Sequence, residues 1–261
     1  MGWLSRFITA VAFLAVGVIF SPETLGSKSP NLSTYLKLAH LLSFSTAFGA
    51  ALWVTFIGGI IMFKNLPRHQ FGNLQSKMFP AYFSMVGVCC AVSVASFGYL
   101  HPWKTSSTTE RYQLGFLLSS FAFNLTNLFV FTPMTIEMMK QRHKVERENS
   151  IGEEVGWSKN VEVAKSNPKL KAMNKKFGMI HGLSSLANIM SFGSLAIHSW
   201  LSTLDQTIQA SSMAIVSDQL QSLVVKIQFS EPPSIKYNNY VFGLLTLLSQ
   251  KLVSKTRLLA V

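Results

Sequence analysis

The amino-acid sequence predicts an all-α fold: a polytopic membrane protein built as a four-helix transmembrane bundle, with a short N-terminal signal peptide or signal anchor. Three observations carry this. Of the 261 residues, 49% are hydrophobic and only 13% are charged, whereas soluble domains carry about 25% charged residues. Five apolar runs alternate with short polar segments. Four of those runs reach the length of roughly 20 residues that a helix needs to cross a bilayer.

The first run, Phe7–Phe20, has 14 residues between Arg6 and the polar stretch SPETLGSKSP. That is short for a span, and a basic start, short apolar core and polar exit describe a signal sequence. No clear small-residue cleavage site follows it, so residues 1–22 read equally as a signal peptide or an uncleaved anchor. The spans are then about residues 38–63, 81–100, 114–133 and 177–201. Trp103 and Trp200 lie at span ends, where amphipathic rings favour the headgroup region. Residues 202–261 are rich in Ser and Gln with one short apolar run, and read as a poorly structured C-terminal extension.

Charge gives the orientation. The first connection carries Lys64, Arg68 and Lys77 without an acid, and the long third segment, 135–176, has ten Lys or Arg against six acids. The middle connection has only Lys104 and Arg111 as basic residues. The positive-inside rule places connections one and three in the cytoplasm. The net charge of +12 therefore belongs to membrane anchoring, with Lys169, Lys171, Lys175 and Lys176 suited to anionic lipid headgroups. It lacks the aromatic-interleaved patch of a nucleic-acid binder, so no nucleic-acid partner is expected. The expected partners are the bilayer, further copies of the chain and other membrane proteins, in the endoplasmic reticulum and secretory pathway or the plasma membrane.

The polar residues inside the spans are the candidate site residues. At 100° per residue, His181, Ser184, Ser185 and Asn188 share one sector of span four, and Ser120, Asn124 and Asn127 share a face of span three. Such groups hydrogen-bond across helices. In span one, His40, Ser43, Ala47, Ala51 and Gly58 form a small-residue face suited to close approach. Intramembrane histidines are also functional candidates, and imidazole suits copper or haem iron. The alternating direction of the spans puts His40 and His198 at the lumenal level and His181 at the cytoplasmic one. His40 and His198 are therefore the pair that can form one cofactor site. Cys89 and Cys90 are adjacent, ill-placed for a disulfide with each other. With Met134, Met138 and Met139 they are a weaker soft-metal alternative. The spans contain no Asp or Glu, and no nucleophile elbow, P-loop or zinc-protease motif is present, so no catalysis is expected and the default expectation is no cofactor.

Several stretches are similar to the transmembrane protein 205 family, particularly its plant-type members: LAHLL (38–42), WVTFIGG (53–59), LPRHQFGNLQSKMFPAYF (66–83), NLFVFTPMT (127–135) and HGLSSLAN (181–188). They run in order over all four spans, so the resemblance covers a domain at 35–201 and leaves the tail divergent. It implies a polytopic protein of endomembranes or the cell surface without established catalytic residues. The family's link to platinum-drug resistance implies a transport-associated or trafficking role. The stretch after span one reads as a cytoplasmic loop framed by Gly72 and Pro80. Pro67, Arg68, His69, Phe71, Gln75, Ser76 and Lys77 lie along it, with Arg68, His69, Gln75 and Lys77 at the lipid headgroups. A shorter likeness, Lys37-x-x-His40 followed by Gly49, resembles copper-resistance D-like proteins and haem-binding protoporphyrinogen oxidases, with Phe48 where a Trp often stands. It implies the alternative of a haem- or copper-binding protein using His40. A scaffold that recruits partners through the basic segment is the third expectation.

Overall fold

The computed structural model describes residues 31–155 and 159–230, and of residues 223–230 the backbone only. The expected signal peptide or signal anchor at residues 1–22 and residues 231–261 fall outside the described residues. Helix α1 covers Leu32–Asn65, with a π-helical turn at Val54–Gly58. Helix α2 covers Arg68–Leu100. Helix α3 covers Thr108–Glu148 and contains a second π turn at Asn127–Phe131. A short α4, Asn160–Ser166, precedes α5, Pro168–Ser230. Helices α1, α2, α3 and α5 are long and apolar enough to cross a membrane, and among the described residues no strand forms beyond the isolated bridge Pro67–Val155.

The starts of the four long helices have identifiable chemical causes. Asn31 Oδ1 accepts the Thr34 N–H at 3.2 Å. Ser107 and Glu110 form a reciprocal capping box, with bonds of 3.2 and 2.7 Å, which satisfies two otherwise orphaned N–H groups of α3. Asn167 Oδ1 accepts the Leu170 N–H at 3.1 Å, and Pro168 occupies the first helical position, where its missing N–H costs nothing. Helix α2 is capped from a distance: the Arg68 and His69 N–H groups donate to the carbonyls of Glu154 and Gly152, both at 3.0 Å.

Two expectations are corrected. The stretch 66–83 is not a loop framed by Gly72 and Pro80, because α2 already begins at Arg68. Pro67 sets the turn that starts it, and Gly72 and Pro80 lie within the helix. Residues 202–230 are helical rather than loose. No Gly or Pro interrupts residues 194–230, and Pro232-Pro233 come only after the helix. The chain divides after His198 into two compact units, and the bundle core lies in the first.

Helices α1, α2, α3 and the first part of α5 alternate in direction and share that core: Ala47, Ala51, Tyr82, Phe83, Val86, Cys90, Phe97, Leu117 and Leu195. Ala47, Ala51 and Gly58 are the buried residues of α1's small-residue face, and α1 packs closely on α2. Large apolar side chains such as Val88, Phe129 and Leu186 face outward, while Ser93, Ser120, Asn124, Asn127 and Ser191 are buried. This distribution suits a chain whose surroundings are lipid. Helix α1 is roughly 50 Å long at 1.5 Å per residue, more than the ~30 Å hydrocarbon core, so helix ends project on both sides. The end bearing 64–77 and 135–176 is termed the basic end, and the end bearing 101–107 the distal end.

Candidate functional site

The buried polar groups form layers along the bundle. At the distal end, His40 Nδ1 lies 3.2 Å from the Ser93 carbonyl and His198 Nδ1 lies 3.2 Å from the Gln113 carbonyl. A carbonyl only accepts, so both Nδ1 atoms carry the proton. The two Nε2 atoms then face one another at 3.3 Å. Phe44 and Phe97 pack on both imidazoles. The structure thus brings together the pair that alternating helix direction singled out. The separation is shorter than twice a metal–nitrogen bond of about 2.0–2.1 Å, so a haem iron with the two imidazoles on opposite faces does not fit between them. A tetrahedral ion would hold two nitrogens about 3.3 Å apart by the same bond length.

The middle layers are hydrogen-bonded across helices. Ser43 and Ser93 hydroxyls meet at 2.8 Å, and Ser120 and Ser191 at 2.9 Å. Cys90 Sγ lies 3.6 Å from Ser120 Oγ. Ser191 is therefore part of the buried core. The cysteines and the methionines do not share a layer: Cys90 packs with Leu117 and Leu195, whereas Met139 lies against Gly72 nearer the basic end. Asn124 is buried with neither amide atom hydrogen-bonded.

Below these layers lies a cavity of about 570 Å³. All four long helices line it: Thr55 and Phe63 from α1, Phe71, Gln75, Ser76, Phe79 and Phe83 from α2, Thr132, Thr135 and Met139 from α3, and His181, Ser184, Ser185 and Asn188 from α5. The four polar residues of span four's sector thus all face this space. Ser184 donates to Asn127 Oδ1 at 2.8 Å, Asn188 Nδ2 donates to Thr55 Oγ1 at 2.9 Å, and Tyr82 donates to Asn188 Oδ1 at 3.0 Å. His181 stacks on Phe177 with ring centroids 5.5 Å apart. Both π turns sit at the cavity: Val54 and Thr55 of the first line it, and Asn127 of the second holds Ser184. Single π turns inside α-helices recur at functional sites. Thr132 and Thr135 hydroxyls and Asn127 Nδ2 have no hydrogen-bond partner, which leaves polar capacity at the cavity wall.

A buried charge cluster closes the basic end. Glu146 is fully buried, and its Oε1 accepts from Arg68 Nε at 3.0 Å and from Asn160 Nδ2. Its Oε2 lies 3.0 Å from His69 Nε2. Arg142 Nε approaches Oε1 at 3.4 Å without forming a hydrogen bond. The His143 ring packs at a tilt against His69, with centroids 4.3 Å apart. His69, His143 and Glu146 have the donor atoms of a metal site, but two guanidiniums already face the carboxylate. A cation would add a third like charge to a low-dielectric site, so the donor set fits an ion-pair hub better than a metal.

This cluster corrects the headgroup reading of the 66–83 stretch. Arg68 and His69 point inward to Glu146, and Gln75 lines the cavity; Lys77 is the exposed one. The reason is helical spacing: residues 68, 69, 72, 75 and 76 fall on one face of α2. Sequence reading missed Arg142, His143 and Glu146 because they sit in a highly charged segment that looks solvated. The available signal was their i, i+1, i+4 spacing, which sets three ionisable groups on one helix face. Gly72 and Gly152 were needed for size. A Cβ on Gly72 would lie 2.7 Å from the His143 ring, and one on Gly152 would lie 2.1 Å from His69.

A family model described as a domain of unknown function (DUF4149) matches residues 42–144, from α1 into the charged end of α3. Transmembrane protein 205 of Danio rerio is 32% identical over 168 residues, which is 63% of this chain and 89% of that protein. No solved structure matches.

Proposed function

The chain belongs to the transmembrane protein 205 family, and from that premise we propose that it is a transport-associated protein that takes an amphipathic small molecule into the cavity between its four helices, without catalysis of its own. The observation that carries this is the cavity, which joins apolar walls to hydroxyl groups left without partners. Its volume lies in the usual range of about 300–1,000 Å³ for ligand sites. The two π turns beside it are places where a helix can shift register, which a gate for such a solute needs. In this reading the basic end faces the cytosol of an endomembrane or cell-surface compartment, and the exposed Lys169, Lys171, Lys175 and Lys176 contact anionic headgroups.

Native mass spectrometry of the full chain, extracted from membranes in a mild detergent, tests the cavity. One retained amphiphile per chain is expected, and Thr135→Trp should lose it while keeping its melting temperature. Equal retention by wild type and variant would contradict the reading.

The facing Nε2 atoms of His40 and His198 favour a second reading, a bound metal ion. Dialysis against Cu(I) or Zn(II) followed by metal analysis should then give one ion per chain in wild type and none in His40→Ala. Equal metal content in both would remove it.

A further inference from the structure

Building on the cavity reading, we infer that its occupant is a single-chain amphiphile with an anionic head, the acyl chain lying in the apolar cavity and the head bound at Arg142. The larger cavity adjoins a smaller one of about 150 Å³, and Phe63, Phe71, Gln75, Met139, Phe177 and His181 line both. The smaller one reaches Arg68, Arg142 and His143. An apolar chamber thus leads to a basic floor.

Two guanidiniums, Arg68 and Arg142, face one fully buried carboxylate, Glu146. Its Oε1 already accepts from Arg68 and Asn160. Glu153, 4.0 Å from His69, is 84% exposed and screened by solvent. Arg142 is only 8% exposed, its Nε makes no hydrogen bond, and its guanidinium lies 3.8 Å above the Phe177 ring. Buried charges require partners, and a planar guanidinium placed over an aromatic ring can offer its N–H groups for fork-like pairing with a carboxylate or phosphate. The chain of such a ligand would meet Ile60, Phe79, Phe83, Ile136 and Ile189, which line the apolar chamber.

The test uses the full chain in phosphatidylcholine liposomes with two photoreactive probes, a diazirine-bearing hexadecanoate and the matching hexadecanol, at a pH that ionises the acid. Crosslinks are mapped by peptide mass spectrometry. The acid should label cavity residues about tenfold more than the alcohol, the loss expected for one charge-assisted hydrogen bond. Arg142→Gln should bring that ratio to about one while alcohol labelling of the cavity persists, which shows the variant is folded. Arg142→Lys should keep part of the preference. Competition with unlabelled hexadecanoate and with lysophosphatidate separates a carboxylate from a phosphate source, the stronger competitor naming the head. Equal cavity labelling by acid and alcohol in wild type, or no competition by either anion, would overturn the anionic head and leave the cavity reading standing. Absence of cavity labelling by both probes would overturn the cavity reading itself.

Discussion

Glu146→Gln should destabilise the protein by about 3–5 kcal/mol, the cost of leaving buried charges without their counter-ion. The side chain is fully buried, and Arg68, His69 and Asn160 converge on its two oxygens, with Arg142 alongside. Gln keeps the shape and one acceptor but removes the charge, so two guanidiniums would repel across a few ångströms. Thermal melts followed by a thiol-reactive dye at the buried Cys90 should show a large fall in melting temperature. A second change should distinguish charge from packing: Arg142→Met in the same chain should recover part of the loss, because it removes the excess cation. A melting temperature unchanged in Glu146→Gln would mean that the cluster does not hold α2, α3 and α4 together.

Gly152→Ala should cost about as much by a different route. Its φ of +123° is a region that residues with a Cβ rarely adopt, worth of order 1–3 kcal/mol in strain. The added methyl would also lie 2.1 Å from the His69 ring, so either the ring or the segment must move. The Gly152 carbonyl accepts the His69 N–H, and movement there would uncap α2 and break the His69–Glu146 contact. Hydrogen exchange is the direct measurement. The amides of Arg68 and His69 should lose protection in Gly152→Ala, while those of the core around Leu117 and Leu195 keep theirs. Retained protection at both would show that the cap tolerates the change.

The four spans were legible because apolar length is a strong signal, and the alternation of helix direction follows from their number. That alternation alone placed His40 beside His198, residues 158 apart in sequence, and they meet at 3.3 Å. The helical sector of His181, Ser184, Ser185 and Asn188 was equally legible, since 3.6-residue periodicity fixes which side chains share a face. What the sector faces was not: a cavity is a property of four helices packed together, and no single segment records it. The charge cluster was hidden for a related reason. Arg68 and Glu146 are 78 residues apart, and each sits among other charged residues that give no hint of burial. Gly72 and Pro80 suggested a loop over the 66–83 stretch. Both instead lie inside α2, where Gly72 allows His143 to pack against it. Residues 202–230 of the C-terminal extension were misjudged on their Ser and Gln content, where the absence of Gly and Pro up to Ser230 is the better guide to helix.

The central claim is that the space between the helices receives a ligand rather than only separating them. Photolabelling of the full chain in liposomes with the neutral diazirine hexadecanol measures this most directly, by comparing cavity residues Phe79, Thr135 and Ser184 with the lipid-facing Val88 and Phe129, which are 65% and 70% exposed. Both sets should be labelled in wild type, with selective loss of the cavity set in Thr135→Trp. Labelling confined to Val88 and Phe129 in the wild-type protein would contradict it.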